Sequence, residues 1–212
     1  MRRTAVATSR GRGVAGSAEG RRGRGVVQVR TFTVPTLGRV TVGIGDGRLL
    51  VLGFAKDEGE DLDLTRFRRA GWTVADMGHA LHARMATELA AYAAGTLRAF
   101  TVPWGLPLAT PFTERVLTAC AAIPWGRTAT YGDLAEIAGS PRAYQAVGQV
   151  MCRNPLPIVI PCHRVLANNG LGGYTPGLKW KRVLLGIEGA GRMTASDLSP
   201  PREAASPSRH RP

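Results

Sequence analysis

Apolar and polar positions change their rhythm along the chain, and the changes predict its elements. Residues 30–34 and 39–44 alternate as half-buried strands do, with Pro35-Thr36-Leu37-Gly38 as the turn between them. Gly45-Asp46-Gly47 is a hairpin signal, and a third strand follows over 48–54. The acidic stretch 57–63 reads as a loop, and 64–70 fits neither period. From Met77 to Ala94 the rhythm becomes helical: Leu81, Met85, Leu89 and Tyr92 fall four, four and three apart, and Gly95 is the stop. Residues 31–95 therefore predict a small α+β unit, and the proline-rich 100–111 a linker.

Beyond the linker the pattern is mostly helical. Thr113 is expected to cap a helix over 114–123 that ends at Pro124. Trp125-Gly126-Arg127 is a turn, and Thr130 caps a helix over 131–138. Gly139-Ser140-Pro141 makes a tight turn before a helix over 142–152, so this pair has the helix-turn-helix pattern. Asn154-Pro155-Leu156-Pro157 then leads into Ile158-Val159-Ile160-Pro161, an apolar run that predicts a buried strand ending at Cys162. A glycine-rich loop over 168–177 precedes a last helix over 178–187. No internal repeat is visible.

Composition adds limits. A chain of 212 residues suffices for one large domain or two small ones. No run approaches the ~20 apolar residues of a membrane span. Residues 1–30 lack the apolar core of a secretory signal. The formal charge of +13 is unevenly placed: residues 1–30 hold eight Arg and one Glu (+7), 190–212 hold four Arg and two acids (+2), and 31–189 keep +4. We therefore expect a basic, disordered leader over 1–29, a disordered tail over 190–212, and a mildly basic core suited to a nucleic-acid partner. Three cysteines make no disulfide framework and suit a reducing cytoplasm. His79 and His82 are spaced like a ligand pair but lack partners; they read as surface residues, and no metal or other cofactor is expected.

The chemistry concentrates at Cys162. A cysteine pinned behind a proline, with a histidine and a permanent cation beside it, has what lowers a thiol pKa and yields a nucleophilic thiolate.

The surrounding residues resemble the O6-alkylguanine-DNA alkyltransferase family. The resemblance rests on Pro161-Cys162-His163-Arg164-Val165, preceded by Arg153-Asn154-Pro155 and by Thr130-Tyr131-Gly132-Asp133-Leu134-Ala135. Gly173-Tyr174-Thr175, Gly177-Leu178, Lys181, Leu184-Leu185 and Glu188-Gly189 follow in order. It spans about 31–189, more loosely in the N-terminal part. It implies an α+β architecture: a small RNase-H-like N-terminal domain (30–99), the linker (100–111) and a winged-helix C-terminal domain (112–189). It also implies single-turnover transfer of an alkyl group from O6-alkylguanine, or O4-alkylthymine, in DNA to the protein's own cysteine.

By the same resemblance Cys162 would be the acceptor. His163 would take its proton through a water, Glu188 would orient His163, Tyr131 would donate a proton near N3, and Asn154 would brace the turn. Val165, Tyr174 and Thr175 would line the pocket for a flipped base. Tyr144, Gln145, Ala146 and Gly148 lie on the recognition helix, with Arg142, Arg153 and Arg164 as further DNA contacts. The partner implied is double-stranded DNA carrying alkylated bases, met through its minor groove by a monomer, with no membrane involved, in the cytoplasm near the nucleoid. One departure stands out: Gln145 occupies the place of the family's intruding arginine, and Tyr144 beside it could wedge between bases. Three other readings compete. A non-catalytic alkyltransferase-like sensor would lack the cysteine. A repair-linked transcription activator would need a further module with its own cysteine. A cysteine hydrolase would need a base less close in sequence than His163 and an oxyanion-hole motif.

Overall fold

The computed structural model describes residues 25–54 and 64–189. The basic leader, the tail and the acidic loop lie outside the described residues.

Three antiparallel strands open the fold: β1 (Val26–Val34), β2 (Gly38–Gly45) and β3 (Arg48–Phe54). Asp46 and Gly47 have φ of 50° and 67°, so the β2–β3 hairpin uses a turn whose twist matches the strands. The first strand starts four residues before the predicted one, where the Arg- and Gly-rich leader hides its alternation. After α1 (Thr65–Arg69), the short β4 (Thr73–Ala75) pairs parallel to β1, giving the order β3-β2-β1-β4. Three residues are too few to show a period, so β4 escaped prediction. The central strand β2 is buried without interruption from Val40 to Gly45 because both sheet faces are covered. Helix α2 (Ala80–Ala93) covers one face through Met85, Leu89 and Tyr92; Phe67 and Trp72 belong to a second cluster with Val27, Leu50 and Val51.

Helix α2 starts later than its pattern suggests, because the two histidines cap it. His79 Nδ1 accepts from Leu81 N at 3.1 Å, and His82 Nδ1 accepts from His79 N at 2.9 Å. His82 is buried, with Nε2 at 3.2 Å from the Gln28 carbonyl and 3.3 Å from that of Val42, so the expected surface residue instead ties the helix to the sheet. Among the described residues no helix is long and apolar enough to cross a membrane.

The C-terminal unit comprises α3 (Pro111–Ala121), α4 (Tyr131–Ile137), α5 (Tyr144–Cys152) and α6 (Leu178–Ile187). The cap of α3 is Thr110, not Thr113: Thr110 Oγ1 accepts from Thr113 N at 3.3 Å, and Pro111 fills the first helical position, where no N–H is needed. Thr130 caps α4 as expected, in a reciprocal pair with Asp133. Its strand neighbours β5 (Ala129–Thr130) and β6 (Val165–Leu166) pair in parallel.

The expected strand before Cys162 is absent. Ile158 has a φ of +71°, Pro157 bridges to Ile160, and Cys162–Arg164 form one 3-10 turn. The apolar run reported burial, and burial alone does not distinguish an extended chain from a packed turn.

Two features bind the sheet to the helical unit. One cluster runs from Val40 and Ile44 through Leu89 and Tyr92 to Val116, Leu134, Val147 and Leu184. The edge strand β3 bonds outward as well: Leu49 N donates to Pro103 O and Leu52 N to Pro155 O, both at 2.8 Å. The linker is thus laid along β3, and the segment leading to Cys162 is hung from it.

Candidate active site around Cys162

Asn154 organises the turn. Its Oδ1 accepts from Leu156 N at 3.0 Å, while Nδ2 donates to the Ile160 carbonyl at 2.8 Å and to Cys162 Sγ at 3.1 Å. A left-handed, β-branched residue such as Ile158 costs about 1–3 kcal/mol and persists only where its surroundings over-determine it. The Asn154 bonds, the Ile160 N to Leu156 O bond at 2.8 Å and the burial of Leu156, Ile158 and Ile160 do so here. The turn delivers Sγ to the floor of a cleft of about 480 Å³, also lined by Asn154, Cys152, Thr175, Phe54 and Trp180. Phe54 stacks on Trp180 with ring centroids 5.3 Å apart, so the end of β3 and helix α6 share one wall.

Behind the thiol lies a buried polar network. His163 Nε2 is 2.8 Å from Glu188 Oε1, and Arg164 reaches both carboxylate oxygens, Nε to Oε2 at 2.8 Å and Nη2 to Oε1 at 2.9 Å. Arg164 Nη1 also donates to the Ile123 carbonyl. Burial alone pushes the Glu188 carboxyl up, but the hydrogen bonds and charges of His163 and Arg164 outweigh it and bring it down to about 2. An ionised carboxylate only accepts, so the histidine must carry its proton on Nε2 and its lone pair on Nδ1. That Nδ1 is buried and has no protein partner. Burial, ahead of every other influence, holds the imidazole pKa below its ordinary value and keeps it neutral.

The thiol differs from the expectation. Burial pushes Cys162 up to about 11, against the opposing pull of the Asn154 bond and the Lys181 charge. At neutral pH only about one thiol in 10⁴ is then ionised, so the resting protein holds a thiol and needs a base. The Arg164 guanidinium is drawn off to Glu188 and is not among the leading influences on this pKa. For the same reason it is no DNA contact: it is buried within the ion pair.

Lys181, on α6, is fully buried and donates to the carbonyls of Val165 at 2.6 Å and Gly173 at 3.1 Å, and to that of Leu171. Burial lowers its pKa to about 8. It ties the glycine-rich loop to β6. Val165 itself is buried; its carbonyl, not its side chain, is used here. Tyr131 starts α4 and points its hydroxyl at the Gly173 carbonyl, 3.4 Å away; burial raises its pKa, so it stays a proton donor. Gly172, at φ +65°, lies so close to the Tyr131 ring that a Cβ would sit 3.0 Å from it. Burial likewise raises Tyr174, whose buried hydroxyl has no protein partner. Thr175 donates to the Cys152 carbonyl at 2.9 Å, closing the loop over the end of α5.

Of the other expected contacts, Arg142, Tyr144, Gln145, Ala146 and Arg153 are exposed on or beside α5, and Gly148 is half-buried. Two participants were not assigned roles from sequence. Tyr92 read only as a helix-stripe residue, although a tyrosine in a core needs a partner for its hydroxyl. Lys181 was signalled by a charge within the apolar stripe Leu178, Leu184 and Leu185.

Fold and site together define an α+β protein in which a buried thiol, backed by a neutral imidazole, opens on a cleft beside a helix-turn-helix. A profile for the DNA-binding domain of 6-O-methylguanine DNA methyltransferase matches residues 111–190. The methylated-DNA–protein-cysteine methyltransferase of Methanosarcina acetivorans is 46% identical over 104 residues, a match spanning 49% of this chain and 66% of that one. Its counterpart from Mycobacterium leprae is 41% identical over 121 residues, 57% of this chain and 71% of that one. The crystal structure of the Mycobacterium tuberculosis O6-methylguanine methyltransferase superposes with a TM-score of 0.64 at 36% identity, over 80% of this chain and 96% of that one. A structure of M. tuberculosis OGT in complex with DNA gives 0.63 at 35% identity, over 80% and 98%. The chain belongs to the methylated-DNA–protein-cysteine methyltransferases.

Proposed function

We propose that the chain repairs DNA by direct reversal, moving the alkyl group of O6-alkylguanine to Cys162 in a single turnover. The observation that carries this reading is the Cys162 thiol at the cleft floor with the Nδ1 lone pair of a neutral His163 buried behind it. His163 Nδ1 takes the thiol proton through a water. The thiolate attacks the alkyl carbon, the carbon–O6 bond breaks, and Tyr131 protonates the guanine leaving group near N3; solvent then returns a proton to Tyr131 and takes the thiol proton from His163, so that no net proton is gained or lost. The product is a thioether on Cys162, a bond stable to hydrolysis, and the protein is consumed.

The architecture supports the finer reading. The sheet unit corresponds to an RNase-H-like domain and the α4-turn-α5 unit with β5–β6 to a winged helix. The exposed face of α5, with Tyr144 and Gln145 at its start, enters the minor groove of duplex DNA as a monomer, and the lesion flips out to reach a buried thiol. Asn154 and Lys181 hold the turn and the glycine-rich loop around it. A non-catalytic sensor would have no use for Cys162. Incubation with duplex DNA containing O6-methylguanine should add about 14 Da, one methyl for one hydrogen, to the Cys162 peptide alone. Cys162→Ala should add nothing. A methyl found on the Cys120 or Cys152 peptide would overturn the assignment.

A further inference from the structure

Tyr92 lies 71 residues before His163, in the sheet-bearing unit, yet its hydroxyl meets the site. It donates to Glu188 Oε1 at 2.7 Å and stands 3.3 Å from His163 Nε2. Its position does not depend on those bonds. The ring is buried between Phe100, 5.6 Å between centroids, and Trp125, at 5.3 Å and nearly perpendicular. One turn earlier on α2, Glu88 accepts from Thr101 N at 2.8 Å and from Arg84 Nε at 3.1 Å, which sets the helix against the linker. The hydroxyl is therefore delivered by the packing of α2.

Its direction follows from the carboxylate. Ionised Glu188 can only accept, so the Tyr92 O–H points at Oε1 and the phenol oxygen turns its lone pairs toward His163 Nε2–H. Oε1 thus takes three donors, from Tyr92, His163 and Arg164. Each donor drains charge that would otherwise act on the imidazole. We propose that Tyr92 is a positioning residue of the transfer site: its hydroxyl, supplied by the N-terminal unit, shares Glu188 with His163 and keeps the imidazole neutral with its lone pair on Nδ1. This rests on the reading of His163 as the base.

The groups that bear on His163 come from every side. Glu188 ends α6 and raises its pKa; Arg164, its neighbour, and Lys181, on α6, lower it; Tyr92 faces it from α2 and Cys162 precedes it. Removing the hydroxyl leaves Glu188 with more charge directed at Nε2–H, so the imidazole binds protons more readily and is lost as a base at higher pH.

The test is Tyr92→Phe in the full chain, which keeps the ring. Two quantities are read: the His163 titration by NMR, and the single-turnover rate with the free base O6-benzylguanine from acid to alkaline pH. The expected result is a His163 midpoint about one pH unit higher, the scale of a hydrogen bond to a charged group. The acid limb of the rate profile should move with it, a roughly tenfold loss below the limb, with the alkaline rate unchanged. A titration that stays unmoved, or that moves down because the phenol oxygen's own contact with Nε2–H outweighs its pull on Glu188, overturns the proposal. So does a rate lowered by one factor at every pH, which is what a packing defect produces. His163→Ala separates the premise: if it leaves the rate profile unchanged, His163 is not the base, while the titration still decides whether Tyr92 tunes it.

Discussion

Replacing Glu188 by glutamine should damage both stability and chemistry, by amounts that follow from the bonds it makes. The Glu188 side chain is fully buried in its ion pairs. It accepts from Tyr92, His163 and two nitrogens of Arg164 within 2.7–2.9 Å. An amide keeps one acceptor oxygen and turns an N–H toward donors that already point at it. Arg164 then lies buried without a counter-charge, which costs about 3–5 kcal/mol. At roughly 2–4 °C per kcal/mol for a chain of this size, the melting temperature should fall by about 6–20 °C. The wild-type protein offers a check on the same interaction. Glu188 is depressed in the folded state, so its stabilisation is complete above its unfolded value and lost as pH falls toward about 2. That amounts to about 3 kcal/mol, and glutamine should abolish this part of the acid dependence. In the chemical step, His163 loses both its fixed tautomer and the charge that stabilises its protonated form. Transfer from O6-benzylguanine at pH 7 should slow by about 10²–10⁴, the usual worth of a positioned base. The deficit should shrink about tenfold per pH unit as hydroxide ionises the Cys162 thiol instead. Thermal melts and single-turnover rates from pH 3 to 10 suffice. A variant that melts within 1–2 °C of wild type and transfers at the wild-type rate would refute both the burial argument and the base assignment.

Further consequences concern the loop and the DNA-facing helix. Lys181→Met should leave the carbonyls of Val165, Leu171 and Gly173 without their shared donor, costing about 2–4 kcal/mol in urea unfolding and exposing the glycine-rich loop to limited proteolysis. A midpoint equal to that of wild type would show that Lys181 holds nothing. Gln145→Arg should speed repair of duplex lesions several-fold, because a charged donor supports the flipped state better by about 1 kcal/mol, and should leave the reaction with free O6-benzylguanine unchanged. If duplex repair is unaltered while Tyr144→Ala cripples it, then Tyr144 is the intruding side chain.

How much was legible in advance depends on whether a signal is local. Hairpin β2–β3, the Thr130 cap and helix α6 were readable because each rests on neighbours in the chain: an Asp-Gly turn, a hydroxyl three residues before its amide, a repeating stripe. The ordered match around Pro161-Cys162-His163-Arg164 marked the proposed nucleophile and base for a similar reason, since those residues lie in one short segment. The state of the thiol was not legible. Proximity in sequence set a cation beside Cys162, but Arg164 turns away to Glu188, 24 residues later, and burial then decides the pKa. Nor could the run 158–161 disclose its turn, because the bonds that hold Ile158 in a left-handed conformation come from the Asn154 side chain and from packing on all sides. The hydroxyl of Tyr92 and the ammonium of Lys181 became parts of the site only when α2 and α6 docked. Sequence alone therefore marked the short segment in which the proposed chemistry is concentrated. Tertiary structure decided which charges meet, which are removed from water, and hence which proton can move.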